Sequence, residues 1–311
     1  MKRIMGVLVL LLSLTVIAAA APKKLTFYWI SHGSAGYPIW VYAINGANAA
    51  AQSLGVTVKT SFHNNDVASQ KEAFMAAIAA NADGIATSSP QDGALKDEVA
   101  LAKSKGIPVV FFNTDDPTTG RDAFVGANLF QAGFQWAKYL VDRKLVKKGD
   151  KVWMPVEVPG ATYQTAETAG IASLFDPLGI KYEIFDAGTD PALMISRMTD
   201  YAAAHGKEIA AMIGLGDNVA GATKQVFTAV GWKPGKIPVV GWGNSVETAS
   251  AVQEGYVNAA SWQYPDSQGF APIVLLYMIK NNMAIGYDVT TLALYDKSNA
   301  AVYLDLARKM K

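Results

Sequence analysis

Short apolar runs alternate with longer, alanine-rich segments along most of this chain. In residues 25–54 the apolar run LTFYWIS ends in the polar, glycine-bearing turn SHGSAGYP, and the segment IWVYAINGANAAAQSL follows before the next apolar run, VTVKTSF. Branched and aromatic residues favour a strand, whereas alanines with a proline near the first turn favour a helix. The same order returns near Asp83, Ile107, Val152, Tyr182, Ile209 and Ile237. The pattern therefore predicts an α/β fold, with βα units whose strands form parallel sheets.

These βα units fall into two groups, separated by the charged break KKGD at residues 147–150. The first group has the predicted strands LTFYWIS, VTVKTSF, DGIATSS, IPVVFFN and AFVGAN, with helices beginning near Pro38, Ala68, Asp92 and Leu129. The second has VWMPVEV, KYEIFDAG, IAAMIGLG and IPVVGWG, with helices beginning at Thr162, Pro191, Asn218 and Val246. After residue 257 the order changes to an extended VNAASWQYP, a helix, an extended DVTTLALY and a short basic tail. Gly55, Gly84 and Gly106 precede strands, and each is expected to end a helix with a positive φ.

A secretory signal peptide is predicted at residues 1–20. Lys2 and Arg3 precede the apolar run VLVLLLSLTVIAAA, which ends in small residues suited to cleavage after Ala20. A membrane anchor is the alternative, but the run is shorter than the ~20 residues that a spanning helix needs. The chain contains no cysteine, so no lipid can be attached to one after the signal. We therefore expect a soluble periplasmic protein without a lipid anchor.

Size and charge narrow the class of protein further. With 311 residues, of which 51% are hydrophobic, the chain can fill two cores. Removal of the two positive charges of Lys2 and Arg3 changes the formal charge from +1 to −1. Neither sign dominates, and the basic clusters lie at predicted helix ends. A nucleic-acid-binding face is therefore not expected.

Polar and aromatic side chains gather at the carboxyl ends of the predicted strands, where ligands bind in parallel α/β sheets. They include Ser31, His32, Asn64, Asn65, Ser88, Asp92, Asn113, Thr114, Glu157, Tyr163, Asp190, Asp217, Asn218, Asn244, Ser245 and Gln263, accompanied by Tyr37, Trp40, Trp242 and Trp262. Each can instead be a helix cap or turn residue, the interpretation we favour for Asp92, Asp190 and Ser245. Together, neutral amides, hydroxyls and flat rings suit a polyhydroxylated ligand.

Eight short motifs occur in one order along the chain: YPIW, NGAN, LGV, DGI, GIPVVFFNTD, IPVVGW, AVQEGYVNAA and QYPDSQG. Through them the chain resembles the periplasmic sugar-binding proteins of ABC importers, in the branch that includes the ribose-binding proteins. The resemblance implies the type I periplasmic binding protein fold, with two Rossmann-like lobes whose parallel sheets are flanked by helices and joined by three hinge crossings. The lobes would comprise residues 21–127 with 265–288, and residues 128–264 with 289–311. The crossings would lie near Asn128, Gln263 and residues 287–290.

The family pattern also implies ligand contacts by position. Where the family has an asparagine before the proline of the first turn and two aromatics after it, this chain has Tyr37, then Ile39 and Trp40. Ribose binders place an Asp-Arg pair after the fourth strand, where this chain has Asn113 and Thr114. These departures argue against ribose. We expect a different neutral ligand, such as another monosaccharide, a polyol or a nucleoside-like molecule.

Eight residues are predicted to bind the ligand: Tyr37, Trp40, Asn113, Thr114, Tyr163, Asp217, Asn244 and Gln263. Trp40 is expected to be a platform under the ligand ring, with Trp242 or Trp262 on the opposite side, and Asp217 is expected to accept two ligand hydroxyls. No catalytic residue, metal site or cofactor is expected. The run GLGDNVAG fails the nucleotide-loop pattern at its third glycine, and the histidines fall in separate units.

The expected function is capture of a neutral sugar or sugar-like ligand by a monomer, followed by delivery to an ABC permease in the membrane. A receptor for a nucleoside or sugar-like signal molecule is the alternative, and sequence does not separate it from import. A transcription regulator of the Lac repressor type would use the same lobes. It needs a DNA-binding helix-turn-helix ahead of the first strand, where this chain has its predicted signal peptide.

Overall fold

The computed structural model describes residues 24–286 and 288–310. The predicted signal peptide and Tyr287, which belongs to the third predicted crossing, lie outside these residues. Within the described ranges, no helix combines the length and the apolar character that crossing a membrane requires.

Strands and helices alternate along most of the chain, as the hydrophobic pattern predicts. In chain order they are β1 Thr26–Ser31, α1 Pro38–Leu54, β2 Thr57–Phe62, α2 Val67–Ala79, β3 Gly84–Thr87, α3 Lys96–Ser104, β4 Val109–Phe112, β5 Ala123–Gly126, α4 Leu129–Asp142, β6 Lys151–Val156, α5 Thr162–Leu178, β7 Lys181–Asp186, α6 Pro191–His205, β8 Ile209–Gly214, α7 Asp217–Gly221, α8 Thr223–Ala229, β9 Val239–Trp242, α9 Val246–Glu254, β10 Ala259–Trp262, α10 Pro265–Lys280, β11 Asp288–Thr290, β12 Ala293–Asp296 and α11 Ala300–Lys309.

The first lobe is built on a parallel sheet with the strand order β11-β5-β4-β3-β1-β2. Helices α1 and α10 pack on one face, and α2 and α3 pack on the other. Along β1, Phe27 and Trp29 belong to the core under α1 and α10, whereas Ile30 belongs to the core under α2 and α3. This alternation is what a strand covered on both faces requires.

The second lobe repeats this architecture with the strand order β12-β10-β9-β8-β6-β7, in which only β12 runs antiparallel to its neighbour. Helices α4 and α5 cover one face, where Val152 and Met154 are buried. Helices α6 to α9 and α11 cover the other face, which contains Trp153. The predicted fold of two α/β lobes is confirmed.

The described chain passes between the sheets three times, after β5, after β10 and between β11 and β12. Strand β11 pairs with β5 of the first sheet, so the third passage lies at Thr291 and Leu292. The boundary expected from sequence, between residues 288 and 289, falls inside this strand. Thr291 N donates to the carbonyl of Gly126 at 3.0 Å, which joins the third passage to the first.

Local capping signals agree with the structure where the partner is close in sequence. Asp190 accepts from Leu193 N at 2.8 Å, and Ser245 caps α9. Asp92 is a turn residue and not a cap, because α3 begins only at Lys96, and its side chain accepts a hydrogen bond from the other lobe. The short tail forms the amphipathic helix α11, and Arg308 and Lys309 lie in its last turn, as predicted for a basic cluster at a helix end.

Two of the three predicted helix-ending glycines have the expected backbone. Gly55 has φ 67° and Gly106 has φ 72°. Gly84 is instead the first residue of β3, and a Cβ there would lie 2.8 Å from Cδ2 of Leu276. The left-handed residue ahead of β3 is Asn81, with φ 53°.

Helices α1 and α10 of the first lobe touch through their backbones. A Cβ on Gly46 would lie 1.9 Å from the carbonyl oxygen of Asp266, and one on Gly269 would lie 1.6 Å from that of Ala43. Each helix therefore requires a glycine where the other one crosses it.

Helices α4 and α5 of the second lobe make the same reciprocal contact. A Cβ on Gly133 would lie 2.0 Å from the carbonyl oxygen of Glu167, and one on Gly170 would lie 2.0 Å from that of Phe130. Both lobes thus contain one helix pair that is joined without intervening side chains at the crossing.

Candidate functional site

A cavity of about 100 Å³ lies between the carboxyl ends of the strands of both sheets. Its walls come from the turns after β1 and β4 in the first lobe, from the turns after β6 and β8 in the second lobe, and from the first turns of α1, α4, α5 and α7. Seven of the eight predicted ligand-binding residues line it: Tyr37, Trp40, Asn113, Thr114, Tyr163, Asp217 and Gln263. The sheet-end argument therefore locates a real concave site.

Trp40 forms much of the wall on the first lobe. Its ring makes edge contacts with His32 and Phe112, at centroid distances of 5.0 and 6.4 Å. Gly33 makes room for it, because a Cβ there would lie 1.9 Å from the indole ring. His32 Nδ1 lies 2.7 Å from Ser88 Oγ, and burial lowers the pKa of His32 to about 4, so this imidazole is neutral.

Asn113 and Gln263 meet across the lobes. Asn113 has φ 62°, and its Nδ2 donates to Gln263 Oε1 at 3.2 Å and to Gln268 Oε1 at 3.0 Å. The Nε2 of Gln268 donates to the Gln263 carbonyl and to Thr291 Oγ1, at 2.8 and 2.9 Å. These amides therefore connect the second and third passages to the first sheet, and Asn113 and Gln263 also line the cavity.

Glu157 lies directly after β6 at the base of the second lobe's wall. Its Oε1 accepts from the backbone N–H of Asn218 at 3.0 Å, and Tyr163 Oη donates to its Oε2 at 3.4 Å. Gly216 is required beside it, because a Cβ would lie 1.5 Å from Oε2. Burial raises the pKa of Glu157, against the opposing effect of the N–H groups that donate to it.

Asp217 and Asn244 form a pair in which only Asp217 lines the cavity. Asp217 Oδ1 accepts from the backbone N and the Nδ2 of Asn244, at 2.8 and 3.4 Å. Asn244 Oδ1 in turn accepts from Gln263 N at 2.9 Å. Burial raises the pKa of Asp217 to about 7. In this geometry Asn244 orients Asp217 and Gln263.

Glu167 extends from the second turn of α5 into the wall beside Trp242. Trp242 Nε1 donates to its Oε1 at 2.8 Å, and Trp242 packs edge-on against Trp136. Burial raises the pKa of Glu167 well above its usual range, the Trp242 N–H opposes this, and the charge of Glu157 adds to it. Trp262, the other ring considered for the far side, is 1% exposed and belongs to the core.

The two lobes also touch at the mouth of the cavity. Tyr37 Oη donates to the carbonyl oxygen of Thr189 at 2.7 Å, and Thr162 Oγ1 donates to Asp92 Oδ1 at 2.9 Å. We call these two bonds the rim contacts. Each joins a turn of the first lobe to a turn of the second, so the cleft is nearly closed.

The cavity includes residues that the eight predictions omitted, notably His32, Glu157, Glu167, Asn218 and Trp242. His32 and Glu157 directly follow strands and Trp242 ends β9, so the strand-end signal was available for these three. Glu167 is four residues after Tyr163 on α5, the spacing that places both side chains on one face of a helix. Among the described residues, no group of three or more His, Asp and Glu side chains is arranged to hold a metal ion.

Two similar α/β lobes, three passages and a cavity between the sheet ends define a two-lobed ligand-binding protein. A family model described as the periplasmic binding protein domain matches residues 27–282. The chain therefore belongs to the periplasmic binding protein family. No curated protein matches it in sequence.

Solved structures share this fold. A periplasmic sugar-binding protein of an ABC sugar transporter from Legionella pneumophila has a TM-score of 0.78 and 23% identity, covering 87% of this chain and 100% of its own. A solute-binding protein from Burkholderia graminis in complex with D-arabinose has a TM-score of 0.81 and 22% identity, covering 90% and 98%. A carbohydrate transporter from Acidothermus cellulolyticus in complex with myo-inositol has a TM-score of 0.81 and 21% identity, covering 92% and 99%.

Proposed function

We propose that this protein captures a neutral sugar or sugar-like ligand between its lobes and delivers it to an ABC-type membrane importer. The observation that carries the proposal is the cavity between the lobes, whose walls combine rings with amide, hydroxyl and carboxylate groups. Such walls suit hydroxyls that need paired hydrogen bonds and C–H faces that lie on rings. The sugar and inositol ligands of structures with the same fold support this class.

In the proposed complex, Trp40 is the platform for the ligand ring, and Tyr37, Thr114, Tyr163 and Asp217 contact hydroxyls. Asn113 Nδ2 and Gln263 Oε1 are bonded to each other, so Asn113 binds ligand through its Oδ1 and Gln263 through its Nε2. Asn244 does not contact the ligand but holds the Asp217 carboxylate in position through its hydrogen bonds.

The two lobes, with β11 (Asp288–Thr290) in the first and β12 (Ala293–Asp296) in the second, rotate about the three passages when ligand binds. Ligand that contacts both lobes favours the closed arrangement by its differential affinity for it. The protein acts as a periplasmic monomer exported by its signal peptide, without a lipid anchor, and it has no catalytic role.

A thermal-shift screen against pentoses, hexoses, polyols and nucleosides tests the ligand class. A ligand that binds only the folded state at 100 times its dissociation constant adds about 2.7 kcal/mol to the free energy of unfolding. A stereospecific sugar or polyol hit supports the proposal. A response to nucleosides alone would favour the receptor alternative, and silence across all four classes would overturn the sugar assignment.

Isothermal titration of Trp40→Ala with the best hit tests the platform. Removal of the ring should weaken binding by tenfold or more, about 1.4 kcal/mol, because a stacked ring contributes on this scale. Trp232→Ala is the matched control, since Trp232 packs against Phe227 outside the cavity. Unchanged affinity in Trp40→Ala would refute the platform assignment.

A further inference from the structure

The cavity wall carries three carboxylates and no basic side chain that could neutralise them. Glu157, Glu167 and Asp217 line it, and neither Lys nor Arg is among its lining residues in the described part of the chain. The one histidine in the wall, His32, is neutral because burial lowers its pKa to about 4. A buried carboxylate without a cation or sufficient donors is costly in free energy.

Glu167 gives a second, independent sign that a donor is missing. Its side chain is 0% exposed, and its Oε1 is satisfied by Trp242, but its Oε2 has no hydrogen-bond partner. Buried polar atoms in folded proteins are nearly always paired. Among the unpaired buried atoms of the described residues, Oε2 of Glu167 is the one whose residue lines the cavity, and a donor on the ligand would pair it.

The carboxylates also act on one another. The charge of Glu157 contributes to the raised pKa values of both Glu167 and Asp217. With a neutral ligand these raised pKa values favour the protonated forms of Glu167 and Asp217, whereas a cation favours the ionised forms. An ammonium group supplies three N–H donors and a positive charge together, and its hydrogen bonds to carboxylates are about twice as strong as neutral ones.

Aromatic rings complete an environment suited to a cation. Trp40, Trp242, Tyr37 and Tyr163 all line the same cavity. The faces of such rings attract ammonium groups, most strongly when the site is desolvated. Carboxylates and indole rings in the walls of one small cavity therefore favour a positively charged group on the ligand.

We propose that the preferred ligand is a sugar or polyol carrying a protonated amino group, held by the carboxylates of Glu157, Glu167 and Asp217 in the presence of the Trp40 and Trp242 rings. This inference rests on the proposed capture of a sugar-like ligand and departs from it in one respect, because the preferred ligand is positively charged and not neutral. A neutral sugar of the same stereochemistry uses the same hydroxyl contacts and binds more weakly.

Isothermal titration with matched sets of ligands tests the proposal. Each set contains a neutral hexose (glucose, galactose or mannose), the corresponding hexosamine, and its N-acetyl derivative, in which the nitrogen carries no charge. The buffer is at about pH 6.5, below the pKa of about 7.7–8.0 typical of an α-amino group. In the set with the right stereochemistry, the hexosamine should bind about tenfold or more tighter than both other members.

Glu167→Gln then tests the assigned residue, because it removes the charge and keeps an oxygen for the Trp242 N–H. The ratio of hexosamine affinity to neutral hexose affinity should fall from tenfold or more to near one. Glu72→Gln is the matched control, because Glu72 is exposed on α2 and should leave this ratio intact. If Glu167→Gln does not fold, the same ratio is measured for Asp217→Asn, in which the hydroxyl contacts of both sugars are also changed.

The outcomes separate this inference from the function on which it rests. Neutral hexose binding as tight as hexosamine binding would refute the amino group and leave sugar capture standing. Failure of every sugar and polyol, charged or neutral, would overturn the proposed function together with this inference. Binding of choline at hexosamine strength, without any preference among the sugars, would refute the hydroxylated part of the ligand.

Discussion

The rim contacts should set how long the ligand stays bound. Tyr37→Phe removes the hydroxyl that donates to the Thr189 carbonyl at 2.7 Å and keeps the ring, and Thr162→Val removes the donor to Asp92 with little change in shape. Both acceptors lie at the partly exposed mouth of the cleft, so water can replace the lost donor there. The open form should therefore be unaffected, and only the closed form loses a bond.

A net intramolecular hydrogen bond contributes about 0.5–1.5 kcal/mol, and exposure at the rim argues for the lower half of that range. Each single variant should then bind ligand about two- to fivefold more weakly, given tenfold for each 1.4 kcal/mol. The two bonds share no residue, so their effects should add, and the double variant should bind about 5- to 25-fold more weakly.

Titration calorimetry gives the affinity, and stopped-flow tryptophan fluorescence divides the change between the two rate constants. The dissociation rate constant should rise while the association rate constant stays constant. Thr162 does not line the cavity, so its variant separates lobe contact from direct ligand contact at Tyr37. Tyr277→Phe, on α10 outside the cavity, is the matched control. A double variant within twofold of the parent, or a change in association alone, would refute this reasoning.

Three further predictions concern pH and stability. Burial raises the pKa of Asp217 from 3.8 to about 7, so the folded state holds a proton that the unfolded state releases. Stability should therefore fall as pH rises from about 4 to 7. Calorimetric scans of Asp217→Asn should show higher melting temperatures than the parent at pH 8 and similar ones at pH 4. Gly170→Ala should lower the free energy of unfolding by about 3 kcal/mol in urea titrations, because its Cβ would overlap the Phe130 carbonyl, whereas Gly286→Ala, with open space around it, should change it little. Gln268→Met should cost about 2–4 kcal/mol in the same titrations, since it leaves several buried partners unpaired, and a loss below 1 kcal/mol would contradict the network described above.

Local signals in the sequence were sufficient for most of the fold. The caps at Asp190 and Ser245 depend on an N–H three residues away, so the residue type and its position after a strand predict them. Asp92 has the same local appearance, but its partner Thr162 belongs to the other lobe, and no local pattern contains that information. For α11, Ala300, Leu304 and Ala307 have helical spacing, which the basic composition of the segment obscured.

The site residues that lie close after strand ends could be predicted from the sequence. Turns after β1, β4 and β8 supplied Trp40, Asn113 and Asp217, because the topology of parallel sheets brings such turns together. The Glu167–Trp242 pair joins the second turn of a helix to a strand end more than seventy residues later, at 2.8 Å. Such a pairing is fixed by the way α5 packs on the second sheet, which a single sequence does not specify.

The reciprocal glycine contacts should make each lobe move as a rigid body. Helix α1 begins beside Tyr37 and Trp40, and α5 carries Tyr163 and Glu167, whereas their partners α10 and α4 begin immediately after two of the interlobe passages. At the crossing of α1 with α10, and at that of α5 with α4, the two backbones are in direct contact. No layer of deformable side chains separates the two helices of a pair there. A displacement at the ligand should therefore be transmitted to the pivot as a rotation of the whole lobe, with little of it absorbed by sliding between helices.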